Sequence, residues 1–180
     1  RWLNGLVDLY ITNSQIAAAT LVERCGISAE KIRVIHNGFA EIPTNVLPLA
    51  ERSMNVLTVA NLNPSKGYLE YLLAIERVLQ EIPDVHFTFV GRDDMNGKVQ
   101  LAIRERGLSE RVSYVGFQED ISSWMRFARL FVLPSLREGC PTTVLEAMSH
   151  GVPVVAFNSD GLPELVRHGQ DGLLVPAADM

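Results

Sequence analysis

The chain has 180 residues, 47% of them apolar and 21% charged, with a formal net charge of −5. That is length enough for one real core, and mild acidity without a basic block excludes a nucleic-acid groove from the expected functions. Cys25 and Cys140, far apart and outside any metal-ligand spacing, exclude a disulfide framework, so a reducing compartment is expected.

In chain order, LVDLYITNS (6–14) reads as a strand, SQIAAATLVERCG (14–26) as a helix and KIRVIHNG (31–38) as a second strand. FAEIPTNVLPLAERS (39–53) holds two prolines and no period, as a linker would. Then comes a steady alternation. MNVLTVAN (54–61) is a strand, and KGYLEYLLAIERVLQEI (66–82) is a helix with Leu69, Leu72, Leu73 and Leu79 on one face. VHFTFVG (85–91) is a strand, GKVQLAIRERG (97–107) a helix closed by Gly107, and RVSYVG (111–116) a strand. DISSWMRFA (120–128) is a helix with Asp120 as N-cap, and RLFVLP (129–134) a buried strand. PTTVLEAMSHG (141–151) is a helix with proline in its first turn and glycine at its end. VPVVAF (152–157) is a strand, LPELVRHG (162–169) a short helix and GLLVP (172–176) a last strand.

Strands alternating with helices define an α/β fold, an open doubly wound parallel sheet of Rossmann-like type. Ligands of such sheets sit beyond the carboxyl ends of the strands, so the loops 61–66, 91–96, 116–120, 134–141 and 157–162 are the candidates. One strand-helix-strand unit cannot bury its own apolar faces. Residues 1–37 are therefore expected to be the remnant of an N-terminal domain, 38–53 a linker and 54–180 a second domain, incomplete at its C-terminal end. The start on arginine and the end on PAADM point to a piece of a longer polypeptide. No apolar run approaches the roughly 18 to 20 residues of a spanning helix, and RWLNGLVDLY lacks a signal-peptide pattern.

Two acidic residues stand out. Glu146 interrupts the apolar run Val144–Met148, and Glu138 lies eight positions earlier in the loop feeding the same helix. With Pro141 at the first turn, Glu146 falls on the polar face and leans back toward the helix start. That start offers unpaired backbone amides and the positive end of a helix dipole to a phosphate. Gly139 lets a ligand come close, and a carboxylate is the natural acceptor for a vicinal diol. A nucleotide-sugar pocket fits that description. A lone glutamate on a polar helix face is usually just solvated, and Glu138 could simply favour the dipole; spacing alone leaves both readings open.

Other candidates weigh less. Asp93-Asp94 is not the Asp-x-Asp of metal-dependent transferases and reads as a turn. His36, His86, His150 and His168 are scattered without ligand spacing, although His150 stands four after Glu146. No metal site is expected. Cys140 reads as a packing residue, Trp2 and Trp124 as core or interface aromatics, and Glu164 as a first-turn residue serving its own helix. Lys66 lacks the surrounding pattern of a Walker loop.

EGCPTTVLEAMSHGVPVVAF, followed by GLPELVRHGQDGLLV, resembles the retaining glycosyltransferases of the GT-B fold, family 4 in particular, whose E-x7-E signature looks like Glu138 to Glu146. VIHNGFA, TVANLNPSKGYLEYLLAI and RVSYVGFQEDISSWMRFARLFVLPS extend the resemblance over essentially the whole chain. It implies the C-terminal, donor-binding half of such an enzyme plus a remnant of the acceptor-side domain. The implied reaction moves a hexose from a nucleotide diphosphate sugar to an acceptor hydroxyl, without a metal or other cofactor. Glu138 would contact the donor sugar as the catalytic residue, and Glu146 would hold the ribose. Backbone groups of Gly139, Cys140, Pro141, Thr142 and Thr143 would face sugar and diphosphate, Lys66 would pair with the diphosphate, and Gly116, Phe117 and Gln118 would take the base.

One departure stands in ANLNPSKG: the family usually has arginine where Asn61 stands, and asparagine gives no cationic clamp. The resemblance further implies an acceptor glycan or lipid-linked sugar bound through the N-terminal domain. It also implies a cytoplasmic, membrane-peripheral setting for the full-length protein and no activity from the fragment alone. A GT-B-type nucleotide-sugar epimerase and a non-catalytic binding module are the alternatives.

Overall fold

The computed structural model describes residues 4–38 and 43–176. Trp2, part of the expected linker and the last four residues lie outside them.

A parallel pair, β1 (Tyr10–Thr12) and β2 (Ile32–Val34), flanks α1 (Gln15–Cys25). This small unit leaves Leu6, Ile11, Val22 and Ile35 exposed, because one helix covers only one face of a two-stranded sheet. The rest is a six-stranded, all-parallel sheet in the order β5-β4-β3-β6-β7-β8. Its strands are β3 (Asn55–Val59), β4 (His86–Val90), β5 (Val112–Tyr114), β6 (Leu130–Leu133), β7 (Val154–Phe157) and β8 (Gly172–Val175). The helices between them are α2 (Tyr68–Glu81), α3 (Lys98–Glu105), α4 (Ile121–Phe127) and α5 (Thr142–Ser149).

The period of two decides which side each strand residue serves. Val56, Phe87 and Phe89 enter the layer under α2 and α3, together with Tyr68, Tyr71, Leu72 and Ile75. Leu57, Val59 and Val90 enter the opposite layer with Met125, Val144 and Ala147. Both faces are thus covered, which makes the sheet doubly wound.

Two expectations are corrected. The buried face of α2 is Tyr68, Tyr71, Leu72 and Ile75; Leu69 and Leu73 sit about 100° round the helix and are exposed. The helix expected over 162–169 is a single 3-10 turn, Leu162–Glu164. Beyond it the chain turns back, with the Arg167 guanidinium paired to Asp171 and the Asp171 amide donating to the Arg167 carbonyl (3.1 Å).

Candidate functional site

Strand order reverses between β3 and β6, so their carboxyl ends open a crevice. The Asn63 side chain accepts the Ser65 amide and shapes Pro64–Lys66 into a 3-10 turn, after which Gly67 takes φ +62°. A Cβ on Gly67 would stand 2.2 Å from the Pro134 carbonyl oxygen, so glycine is what lets the β3 and β6 loops touch. The Leu136 amide then donates to the Ser65 carbonyl (2.8 Å). This stitching brings Lys66 Nζ onto Glu138 Oε1 as an ion pair, with side chains 20% and 11% exposed.

The β7 loop holds Glu138 from the other side. The Glu138 amide donates to Asp160 Oδ2 (3.2 Å), and the Glu138 carbonyl accepts from the Gly161 amide (2.9 Å). A Cβ on Gly161 would lie 1.7 Å from the Gly139 oxygen, so this contact excludes any side chain.

Pro141 occupies the N-cap of α5 without a side-chain cap, and the Thr142 and Thr143 amides have no partner among the described residues. Cys140 is buried, as a packing residue should be. Glu146 lies four residues beyond Thr142, about 6 Å up the axis. It is half-buried, and its carboxylate has no hydrogen bond or ion pair among the described residues. His150 engages the Glu146 carbonyl (2.9 Å) and Ser122 Oγ (2.8 Å), not the Glu146 carboxylate.

On the β4–β5 side, Gly116 accepts from the Gly91 amide (3.0 Å), and Gln118 donates to the Val115 carbonyl (3.0 Å). Phe117 is half exposed. The Arg92 guanidinium stands over its ring, 4.8 Å from the centroid. Asn61 Oδ1 accepts the Arg92 amide (3.1 Å). Arg92 escaped sequence reading, which fixed on the acidic pair beside it; a cation directly after a strand end was the available signal. Asp93 serves the turn expected of it, accepting the Met95 and Gly97 amides at 2.8 and 2.7 Å. Those bonds, the Met95 amide foremost, hold its carboxyl below the usual range. No cluster of three or more potential metal ligands occurs among the described residues.

Glu164 is a correction. It does not serve its own turn: Oε2 and Oε1 accept the Gln15 and Ile16 amides at the start of α1 (2.8 and 3.2 Å), and His36 Nε2 lies 2.8 Å from Oε2. Burial alone raises its pKa, but these partners outweigh it and the carboxyl lies below its ordinary value. His36, which stands in no ligand spacing in the sequence, therefore has a carboxylate partner 128 residues away. A cavity of about 470 Å³ opens between α1 (Ile16, Ala17, Thr20, Arg24) and the β6 and β7 loops (Arg137, Glu138, Gly139, Asp160). Another, of about 480 Å³, lies at the amino ends of β7 and β8, away from the crevice.

The doubly wound parallel sheet that carries this crevice has solved counterparts, and they are GT-B glycosyltransferases. The Anabaena protein Alr3699/HepE, in complex with UDP and glucose, is 30% identical with a TM-score of 0.80 over 97% of this chain and 51% of that one. S. aureus TarM, 20% identical, shares the fold with a TM-score of 0.87 over 98% of this chain and 35% of that one. Residues 53–180 match the family Glycosyl transferases group 1, and the chain belongs to that family. Among curated relatives, the amylovoran biosynthesis glycosyltransferase AmsK of Erwinia amylovora is 33% identical over 86% of this chain and 40% of its own length. The Escherichia coli UDP-Gal:alpha-D-GlcNAc-diphosphoundecaprenol alpha-1,3-galactosyltransferase is 30% identical over 86% and 41%. The chain thus spans about two fifths of these curated relatives.

Proposed function

We propose that this chain is the donor-binding part of a retaining glycosyltransferase that moves a hexose from a UDP-hexose to an acceptor hydroxyl, releasing UDP. The observation that carries the reading is the Lys66–Glu138 pair in the switch crevice, beside the unpartnered amides that open α5. The UDP and glucose held by the Anabaena relative support the donor class.

In this reading the diphosphate lies across the start of α5, where the Thr142 and Thr143 amides and the helix dipole meet its oxygens. Lys66 turns from Glu138 to the diphosphate and stabilises the charge that grows on it as the glycosidic bond breaks. The backbone of Gly139 to Pro141 lines the sugar, and Glu138 faces the reacting centre. Glu146, with no other partner, accepts the ribose hydroxyls. The base lies along Gly116, Phe117 and Gln118. Arg92, fixed on the Phe117 ring with its amide held by Asn61, supplies at the end of β4 the positive charge that Asn61 does not supply at the end of β3. The charge of the leaving group thus falls to side chains and amides rather than to a divalent cation. The acceptor, a glycan or lipid-linked sugar, is held from the N-terminal side.

The test has three parts. Calorimetry of this chain with UDP, ADP and GDP should give weak binding that Lys66→Ala weakens further, by about 10- to 150-fold for UDP. The chain by itself should transfer nothing. The full-length enzyme should transfer hexose undiminished in EDTA, with the anomeric configuration of the product, read by NMR, the same as the donor's. Absence of nucleotide binding, or an inverted product, refutes the reading.

A further inference from the structure

The contacts of Glu164 join two parts of the molecule that the sequence keeps far apart. Its two oxygens accept the first two amides of α1, and the Ser14 hydroxyl accepts the third, from Ala17 (3.2 Å). The start of the helix is therefore closed by a carboxylate from the far side of the crevice. The loop that carries Glu164 also grips the β6 loop, through Asp160 and Gly161 on Glu138 and through Ser159 Oγ on the Ser135 carbonyl (3.1 Å). Asn37 Nδ2 donates to the Cys140 carbonyl (2.6 Å), and Asn13 Oδ1 lies 3.2 Å from where a Gly139 Cβ would stand. One wall of the 470 Å³ cavity is α1, and the other carries Glu138.

We infer that Glu164 is a positioning residue: it ties the first turn of α1 to the loop bearing Glu138, and so sets the width of the cleft in which an acceptor meets the donor sugar. The inference rests on the proposed donor site. Glutamate suits the task because two acceptor oxygens serve three donors, the Gln15 and Ile16 amides and the His36 imidazole. Glutamine keeps the length but offers one acceptor oxygen and no charge. Misplacing a cleft wall by about 1 Å costs on the order of a hundredfold in turnover without touching the chemistry.

The experiment compares Glu164→Gln with the unchanged full-length enzyme. The expected result is a kcat lower by about 10- to 100-fold with UDP affinity within about twofold, and an acceptor KM that rises. Hydrogen exchange at the Gln15 and Ile16 amides should speed up at least about tenfold. A kcat equal to that of the unchanged enzyme overturns the inference. So does a loss of UDP-binding stoichiometry in step with kcat, because that pattern means a smaller folded fraction and not a displaced wall. If the unchanged enzyme binds no UDP, the functional reading fails. Faster exchange at Gln15 and Ile16 then still supports the tie, and unchanged exchange overturns it.

Discussion

Lys66→Ala should weaken UDP binding to this chain by about 10- to 150-fold, and Glu138→Gln should not weaken it at all. A charge-assisted hydrogen bond to a phosphate oxygen is worth about 1.5–3 kcal/mol, which is about 10- to 150-fold at 1.4 kcal/mol per decade. Losing Lys66 also leaves the Glu138 carboxylate, 11% exposed, facing the diphosphate without its counter-ion. Two unit charges 4 Å apart repel by about 1 kcal/mol even in water. Glu138→Gln works with the opposite sign. It frees Lys66 from its present partner and removes that repulsion, so UDP affinity holds or rises by about fivefold. Transfer by the full-length enzyme should nevertheless fall by about 10²–10³, because an oriented group at the reacting centre is gone. Calorimetry of the two single variants and the double variant closes a cycle, and the pair should be strongly non-additive because the residues touch. Wild-type affinity in Lys66→Ala, or an equal loss in Glu138→Gln, refutes the argument that Lys66 exchanges one anion for the other.

Three further outcomes are expected. Phe117→Ala removes both the proposed stacking surface and the rest for Arg92; base-aromatic stacking is worth about 1–3 kcal/mol, so UDP affinity should fall by about 5- to 150-fold, whereas Arg92→Ala, which removes a positive charge, should make UDP binding less sensitive to salt in a salt titration. Gly161→Ala puts a methyl 1.7 Å from the Gly139 oxygen at an ordinary φ of −84°, so crowding alone should cost about 1–3 kcal/mol of stability by denaturant titration and displace the Glu138 loop. Acid should destabilise the fold. Asp120, bonded by the Ser123 hydroxyl and amide, Asp171, bonded by Arg167, and Asp93 all titrate below the usual 3.8, and Glu164 below 4.5. Lowered folded values contribute stability above the unfolded values, and that stability drains away as pH falls through the folded ones. The melting temperature should therefore drop as pH is taken below about 4.5, and Asp120→Asn with Asp171→Asn should flatten the slope.

The sheet was legible in the sequence because parallel strands covered on both faces read as short, nearly continuous apolar runs. LFVL and VVAF leave no other reading. The face of α2 was not, because Leu69 and Leu73 are as apolar as Leu72, and choosing among them needs the aromatic pair Tyr68 and Tyr71 seated on Phe87 and Phe89. The 162–169 helix failed for a related reason. An eight-residue segment is marginal without tertiary support, and here Arg167 and Asp171 close a turn while Glu164 is drawn to another helix.

The same division separates what was visible in the site from what was hidden. Glu138 and Glu146 share one loop and one helix, so their proximity in the chain is local and spacing picks them out as candidates, while leaving their role open. Lys66–Glu138 spans 72 residues and exists because β3 and β6 are neighbours, a fact of strand order that no periodicity encodes. Arg92 and Phe117 meet for the same reason, across the β4 and β5 ends. In the proposed donor site, an asparagine at 61, where the resemblance implies arginine, is easier to understand in that light. What a diphosphate requires is positive charge at the carboxyl edge, and β3 is one of several strands ending there. A sheet that aligns the ends of β3, β4 and β5 lets the charge move one strand over, provided its backbone is fixed in place. In the proposed site the bond from the Arg92 amide to Asn61 Oδ1 would do that fixing, with Arg92 supplying the charge that Asn61 lacks.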